Sequence, residues 1–148
     1  MRTGDEPAGV EYVDHAADVG IRARAESVDG VFERAAAGLF ALMVRLADVQ
    51  PLVRRPVRCS AETRSALLVE WLGALLAERD VAGLVFGRFE VAIEETGQGV
   101  SLHGAAWGEP FDASRHDPGI EVKGISYLGL DVSEQADGEW IAACVVDV

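Results

Sequence analysis

Two carboxylates stand where they could bind a cation together. Asp18 lies in His15-Ala16-Ala17-Asp18-Val19-Gly20, at a break between strand-like stretches where a glycine lets the backbone turn closely. Asp147 ends the apolar stretch Trp140–Val146 and precedes the α-carboxylate of Val148. A strand that stays apolar to its end is expected to hold that end in the fold, with Asp147 and the α-carboxylate of Val148 close together. Such oxygen ligands suit Ca²⁺ or Mg²⁺ better than zinc. From spacing alone, however, a turn cap at Asp18 and a solvated Asp147 are the simpler interpretation.

Lys123 is the second candidate for chemistry, because it is the only lysine among thirteen basic residues. It lies in Glu121-Val122-Lys123-Gly124-Ile125-Ser126-Tyr127. An ammonium is a compact point charge with rotatable donors, which arginine does not reproduce. An exposed strand residue explains Lys123 equally well.

No enzymatic motif is present. The sequence lacks a phosphate-binding G-x-x-x-x-G-K-[ST], a G-x-G-x-x-G, a G-x-S-x-G and an H-E-x-x-H. His15, His103 and His116 are scattered and show no zinc-ligand spacing. Each is interpreted as a surface or hydrogen-bonded histidine, so a hydrolase active site is not predicted.

The charge disfavours direct binding of RNA. Thirteen basic residues against 25 acidic ones give a net charge of −12, whereas non-specific nucleic-acid binding relies on Lys and Arg that neutralise phosphates. The only basic cluster is Arg54, Arg55 and Arg58, which we interpret as a solvated loop and strand start.

The composition is that of a globular cytoplasmic protein. No apolar run approaches the ~20 residues that span a bilayer, and the polar segment Met1–Glu6 does not resemble a signal peptide. Cys59 and Cys144 are expected to be buried thiols in the cytoplasm, although a disulfide between them stays open.

Helical spacing of apolar residues predicts two helices, over about Val28–Leu46 and Thr63–Arg79. Ser27 and either Ser60 or Thr63 are suitable N-caps. The remaining segments read as strands, which we list here: Val10–Val13, Val19–Ala25, Val57–Cys59, a hairpin from Phe86 to Trp107 turning at Thr96–Gly99, Ile120–Val132 and Glu139–Val148. A loop is predicted from Gly108 to Gly119.

This order predicts an α+β fold and not a doubly wound parallel sheet. The unit of strand, helix and strands occurs twice, the second copy inside the first. We therefore predict two nested strand-helix-strand-strand modules packed as one compact unit. Residues 1–148 would form a single domain, with the second module at about 56–108.

These residues together resemble the archease family from about Val10 to Val148. The matching blocks, in order, are His15–Ala23, Ala66–Leu72, Gly83–Phe86, Gly108–Asp112, Arg115-His116, Glu121–Tyr127 and Val145–Val148. No block is decisive alone, but their order and spacing over the whole chain are specific.

The resemblance implies an accessory factor of the RtcB-type tRNA-splicing RNA ligase, which promotes guanylylation and multiple turnover and is not itself an enzyme. It implies a metal site, calcium or else magnesium, formed by Asp18, Asp147 and Val148. Lys123 would be a residue of activation or partner contact, as would His15. The implied partner is the ligase protein, with no nucleic acid and no membrane.

Two residues depart from the family pattern. The threonine that follows the histidine is Ala16 here, and the histidine that follows the tyrosine is Leu128. The second change removes any function of an imidazole beside Tyr127, but it leaves the carboxylates and Lys123 unchanged.

Two other functions are compatible with the sequence. One is a general protein-binding or chaperone-like module whose acidic surface recognises basic clients. The other is a small metal-dependent hydrolase that uses Asp18 and Asp147, which the absence of a nucleophile–base pair disfavours.

Overall fold

The computed structural model describes residues 6–14 and 17–148, with Asp14 described by its main chain only. Two α-helices and seven β-strands account for most of this part of the chain. Their bounds are β1 Val10–Asp14, β2 Asp18–Ala25, α1 Val28–Met43, β3 Val53–Ala61, α2 Arg64–Ala82, β4 Leu84–Thr96, β5 Gly99–Pro110, β6 Gly124–Glu134 and β7 Trp140–Asp147.

The strands form two antiparallel sheets. The larger sheet has the order β1-β2-β7-β6 and the smaller has β3-β5-β4. In the larger sheet, β7 lies between β2 and β6, so the last strand in sequence is an inner strand. The prediction of an α+β fold with nested modules is confirmed, since β3, α2, β4 and β5 all lie between α1 and β6 in sequence. The division into one domain with its second module at about 56–108 stays a prediction.

Helix α1 begins as predicted but ends earlier. Ser27 is the N-cap, and its hydroxyl accepts a hydrogen bond from the Gly30 N–H at 3.0 Å. The helix stops at Met43 because Val44 is extended, and a single 3₁₀ turn follows at Leu46–Asp48. The prediction of helix to Leu46 was wrong because apolar spacing continues through this turn.

Helix α2 is longer than predicted. Thr63 is the N-cap and accepts from the Ala66 N–H at 3.1 Å, so the choice between Ser60 and Thr63 falls to Thr63. Gly83 ends the helix in the left-handed conformation with φ 69°, which favours glycine. The helix therefore continues past Arg79 to Ala82.

Three strand predictions need correction. Strand β3 begins at Val53 instead of Val57, since Arg54, Pro56 and Arg58 alternate on an exposed face and hide the apolar pattern. Strand β5 continues to Pro110, into the predicted loop. Strand β6 begins at Gly124 instead of Ile120, and its register with β7 shifts between Ser126 and Asp131.

The helices fill the space between the sheets. Helix α1 contacts β2 and β4, while α2 contacts β3 and β6, so each helix touches both sheets. The predicted apolar face of α2 is buried, and the Trp71 indole N–H donates to the Phe32 carbonyl at 3.0 Å. This bond joins the two helices inside the core.

One open sheet edge is closed by side chains of α1. The Glu33 carboxylate accepts from the Val91 N–H and the Asp29 carboxylate from the Ile93 N–H, both at 2.9 Å. Burial, partly offset by the Val91 bond, raises the pKa of Glu33. In the described residues, no helix has the length and apolar character needed to cross a membrane.

Candidate functional site

Asp18 and Asp147 are brought side by side by the pairing of β2 with β7. The two residues are direct partners in the antiparallel register. Such partners have Cβ atoms about 4.5–5.5 Å apart and point to the same face of the sheet. Their neighbours Val19 and Val146 are buried against the core, so alternation turns both carboxylates to the outer face.

The surroundings of the two carboxylates differ. Asp147 is exposed, whereas Asp18 is half-buried and its Oδ1 is shielded from solvent with no hydrogen-bond partner among the described residues. A buried carboxylate oxygen without a donor is unfavourable unless a charge or a donor reaches it. The pair therefore fits a hard cation, which would neutralise two adjacent negative charges and satisfy Asp18 Oδ1.

Val148 lies beside this pair. Its N–H donates to the Ala17 carbonyl at 3.4 Å, and its side chain packs on the margin of the core. Main-chain oxygens of Val148 are thus close to the strand ends that carry the carboxylates. Within residues 6–14 and 17–148, no three His, Cys, Asp or Glu side chains are grouped as metal ligands. A cation here would need main-chain oxygens, water or a partner to complete its coordination.

Lys123 is placed at the same strand ends. Its N–H donates to the Asp147 carbonyl at 2.8 Å, and the next residue, Gly124, is the register partner of Asp147 in β6. Asp147 therefore has Asp18 on one side and the start of β6 on the other. Lys123 itself is exposed.

His15, the other residue assigned to activation or partner contact, lies outside the described residues. Leu128, which replaces the family histidine, lies in the irregular part of β6 and is 79% exposed, next to Tyr127 at 70%. This position offers a solvent-facing apolar side chain and no imidazole.

A buried polar cluster lies near the end of β5 and in the segment after it, where only a loop is predicted from the sequence. Glu109 and His116 are 2% and 0% exposed, and Glu109 Oε2 lies 3.1 Å from His116 Nε2. The Gln50 N–H donates to the same oxygen at 2.7 Å, and Arg115 pairs with the other oxygen. The sequence signal was that Glu109 and His116 both fall in blocks that match the family pattern, but the Pro- and Gly-containing segment around them has no periodicity that would place them together.

The hydrogen bonds of this cluster tie Gln50 and the segment around Asp112 to the end of β5. Burial opposes ionisation of Glu109, but the bonds from Gln50, His116 and Arg115 together hold its pKa below the usual range. His116 Nδ1 accepts from the Asp112 N–H at 2.9 Å, so Nε2 carries the proton directed at Glu109. Both ring nitrogens are therefore engaged.

The two cysteines are free thiols; Cys144 is buried as expected, whereas Cys59 is only half-buried. Burial raises the pKa of Cys144 to about 12, and burial together with the charge of Glu70 raises that of Cys59 to about 11. Neither is a thiolate at neutral pH, so neither is suited to nucleophilic chemistry.

The comparisons with known proteins agree over nearly the whole chain. Residues 10–148 match the model of the Archease protein family (MTH1598/TM1083). The chain is 38% identical to protein archease of Pyrococcus abyssi over 138 residues, which cover 93% of this chain and 97% of that protein. It is 36% identical to protein archease of Aeropyrum pernix over 143 residues, with 95% and 97% covered. The solution structure of Methanobacterium thermoautotrophicum protein 1598 superposes with a TM-score of 0.84 at 32% identity, covering 95% of this chain and 99% of that one.

Proposed function

Because this chain belongs to the archease family, we propose that it is a non-catalytic accessory factor of an RtcB-type tRNA-splicing RNA ligase. It promotes guanylylation of the ligase and so converts single-turnover ligation into multiple turnover. The observation that carries this proposal is the pairing of Asp18 with Asp147 beside Lys123 at one end of the larger sheet. Two carboxylates and an ammonium at one end of the sheet suit contact with a nucleotide-binding site and its metal ions.

The carboxylate pair is proposed to hold a divalent cation, calcium or else magnesium. Asp18 and Asp147 would supply side-chain oxygens, and Val148 a main-chain oxygen. The unpartnered Asp18 Oδ1 supports this assignment, since a cation would satisfy it. When bound, the cation would supply positive charge for phosphate or carboxylate groups of the partner.

Lys123 is proposed to contact the partner directly. Its main chain is fixed to Asp147, while its side chain is exposed. An ammonium on a flexible stem can reach a phosphate or a carboxylate of the ligase. It would thus position the nucleotide site without taking part in bond making.

The charge of the protein supports docking on a basic ligase instead of on RNA. The protein has a net charge of −12. It is therefore attracted over long range to a basic, RNA-binding surface of the ligase, which speeds the encounter of the two proteins, whereas free RNA is repelled. Such attraction weakens as salt screens it. The activator is therefore expected to lose effect as ionic strength rises.

The test is RNA ligation by a cognate ligase with excess RNA ends, GTP and metal ion, with and without this protein. We expect substoichiometric protein to raise product per ligase above one turnover, and to speed formation of guanylylated ligase when RNA is left out. A chaperone-like activity would instead change only the amount of active ligase. Guanylylation of a ligase that is already folded distinguishes the two, because a chaperone would not speed it.

An absence of any increase in product per ligase would overturn the proposal. Tight binding of RNA by this protein alone would also contradict it.

A further inference from the structure

The outer face of the smaller sheet carries a basic and aromatic surface. Side chains alternate along β3, β4 and β5, so one set faces the helices and the other faces solvent. We define the arginine face as the outward-facing residues Arg54, Arg58, Arg88, His103 and Trp107. Arg54 and Arg88 are both register partners of Trp107, and Arg58 is the partner of His103.

Trp107 is held between two guanidinium groups. The Cζ atoms of Arg54 and Arg88 lie 5.6 and 4.5 Å from the centre of its ring, on strands to either side of β5. Cation–π contact of this kind fixes the planes of both arginines and leaves their N–H edges able to bind anions. It also occupies the indole, so a nucleotide base cannot stack there without displacing an arginine.

The charge on this face differs from that of the whole protein. Arg55 points the other way and pairs with Glu78 at 3.1 Å, and Arg88 pairs with Glu90 at 3.1 Å. Arg54 and Arg58 have no ion-pair partner in the described part of the chain. The outward-facing side chains over residues 54–60 of β3 and 101–107 of β5 include no carboxylate, while on β4 Glu90 lies on this face beside Ala105. The prediction of a loop at Arg54 and Arg55 was wrong, since both lie within β3, whereas Arg58 lies in a strand as predicted.

The shape of the face suits an extended chain. Pro56 and Ala105 lie between the Arg54–Trp107 row and the Arg58–His103 row, and form the floor of an open trough of ≈ 570 Å³. The two unpaired arginines are four residues apart on one strand, or roughly 13 Å. An extended segment with acidic residues four positions apart has the same spacing.

Addition of a strand to the edge of β3 is disfavoured beside this trough. Pro56 lies in the middle of β3, an edge strand, and has no N–H for a neighbouring ladder. An occupant would therefore lie across the face of the sheet.

We infer that the arginine face binds an extended acidic segment of a protein partner, through carboxylates that pair with Arg54 and Arg58. A protein segment is favoured over RNA because Trp107 is already covered, and because single-stranded RNA binding relies on aromatic side chains on which bases stack. This surface lies on a different sheet from the Asp18–Asp147 pair. The inference goes beyond the proposed function and does not depend on it.

The experiment uses this protein alone with two labelled probes. One is a short terminally blocked peptide of alternating Glu and Ser, and the other is an oligouridylate of similar length. Binding is measured by fluorescence anisotropy at low and high salt, and the site by NMR shifts of the Trp107 indole and of the arginine side chains. The variant is R54E/R58E, and the matched control is R22E, which reverses an exposed arginine on the outer face of the other sheet.

We expect the peptide to bind at low salt, to shift the Trp107 indole signal and to bind roughly tenfold more weakly to R54E/R58E. The control R22E should change binding by less than about twofold. Tighter binding of oligouridylate at the same residues would overturn the inference, as would equal loss in the control, or no peptide binding at low salt. Circular dichroism of each variant checks that the fold is kept.

Discussion

The main-chain N–H of Lys123 donates to the carbonyl of Asp147 at 2.8 Å, which fixes the one lysine of the chain beside the carboxylate pair. The position is held by the backbone, so the side chain can be changed without loss of this bond. Lys123→Ala is expected to lower ligation product per ligase while the free energy of unfolding changes by less than about 0.5 kcal/mol. Paired ligation and urea-denaturation measurements check both parts.

Lys123→Arg is the companion variant, because it keeps the charge and changes the shape of the donor. Partial activity in Lys123→Arg with none in Lys123→Ala is the expected order. Full activation by Lys123→Ala would remove Lys123 from the proposed contact.

Asp18→Asn is expected to change stability in one direction without a cation and in the other direction with one, relative to the wild type. Without a cation, the change removes repulsion between neighbouring carboxylates, so the melting temperature should stay equal or rise. With Ca²⁺ at about 100 times its dissociation constant, the wild type should gain about 2.7 kcal/mol, and Asp18→Asn and Asp147→Asn should gain much less. Thermal melting in EDTA and across a Ca²⁺ titration measures this.

Asp131→Asn is the matched control, since Asp131 is an exposed carboxylate of the same sheet paired in register with Ala143. It should keep the full response to Ca²⁺. A wild-type melting temperature that neither Ca²⁺ nor Mg²⁺ changes would exclude the cation site.

The ionised Glu109 carboxylate is expected to stabilise the fold at neutral pH and to lose this contribution at acid pH. Because its pKa is lower in the folded protein than in the unfolded one, its contribution is complete above the unfolded value, about 4.3. The contribution is lost as the pH falls through the lower folded value. At neutral pH, Glu109→Gln should lose about 1–3 kcal/mol, because charged partners in the cluster are left unpaired.

Urea denaturation of the wild type and Glu109→Gln over a pH series measures this, with the exposed Glu94→Gln as control. The difference in free energy of unfolding between wild type and Glu109→Gln should become smaller towards acid pH. A gap that is constant with pH would contradict the assigned ionisation.

Two glycines should respond in opposite directions to alanine. A Cβ on Gly108 would lie 1.8 Å from the Val85 carbonyl oxygen, in the ladder between β4 and β5 where the backbone cannot move aside. Gly108→Ala should therefore lose about 3 kcal/mol or more. Gly73 in α2 has nothing within 4 Å of an added Cβ, so Gly73→Ala should gain about 0.5–1 kcal/mol. Chemical denaturation of both variants checks the signs.

Sequence patterns predicted the elements whose periodicity is regular and missed those that depend on distant contacts. The Ser27 cap and the buried face of α2 follow from local rules, and both are present. The extent of β3 could not be read because its exposed face is Arg and Pro, whose positions become regular only when β5 pairs with them.

In the candidate site, too, residue types could be recognised from the sequence, whereas contacts between distant residues could not. The types of Asp18 and Asp147 could be recognised along the chain, but their side-by-side placement is a property of strand register, which sequence does not state. The cluster around Glu109 depends on Gln50 and His116, which approach it from other parts of the chain. No local pattern marks such a cluster.

The inner position of β7 in the larger sheet has a consequence for synthesis. Strand β2 is made early, yet its partner β7 leaves the ribosome only after both helices and the whole β3-β5-β4 sheet. The smaller sheet can assemble around α2 while the ribosome is still elongating the chain, whereas β2, which can pair with β1 early, lacks its second partner until β7 is made. Asp18 therefore meets Asp147 only in a chain translated through β7, and a prematurely terminated product would carry the arginine face without the carboxylate pair.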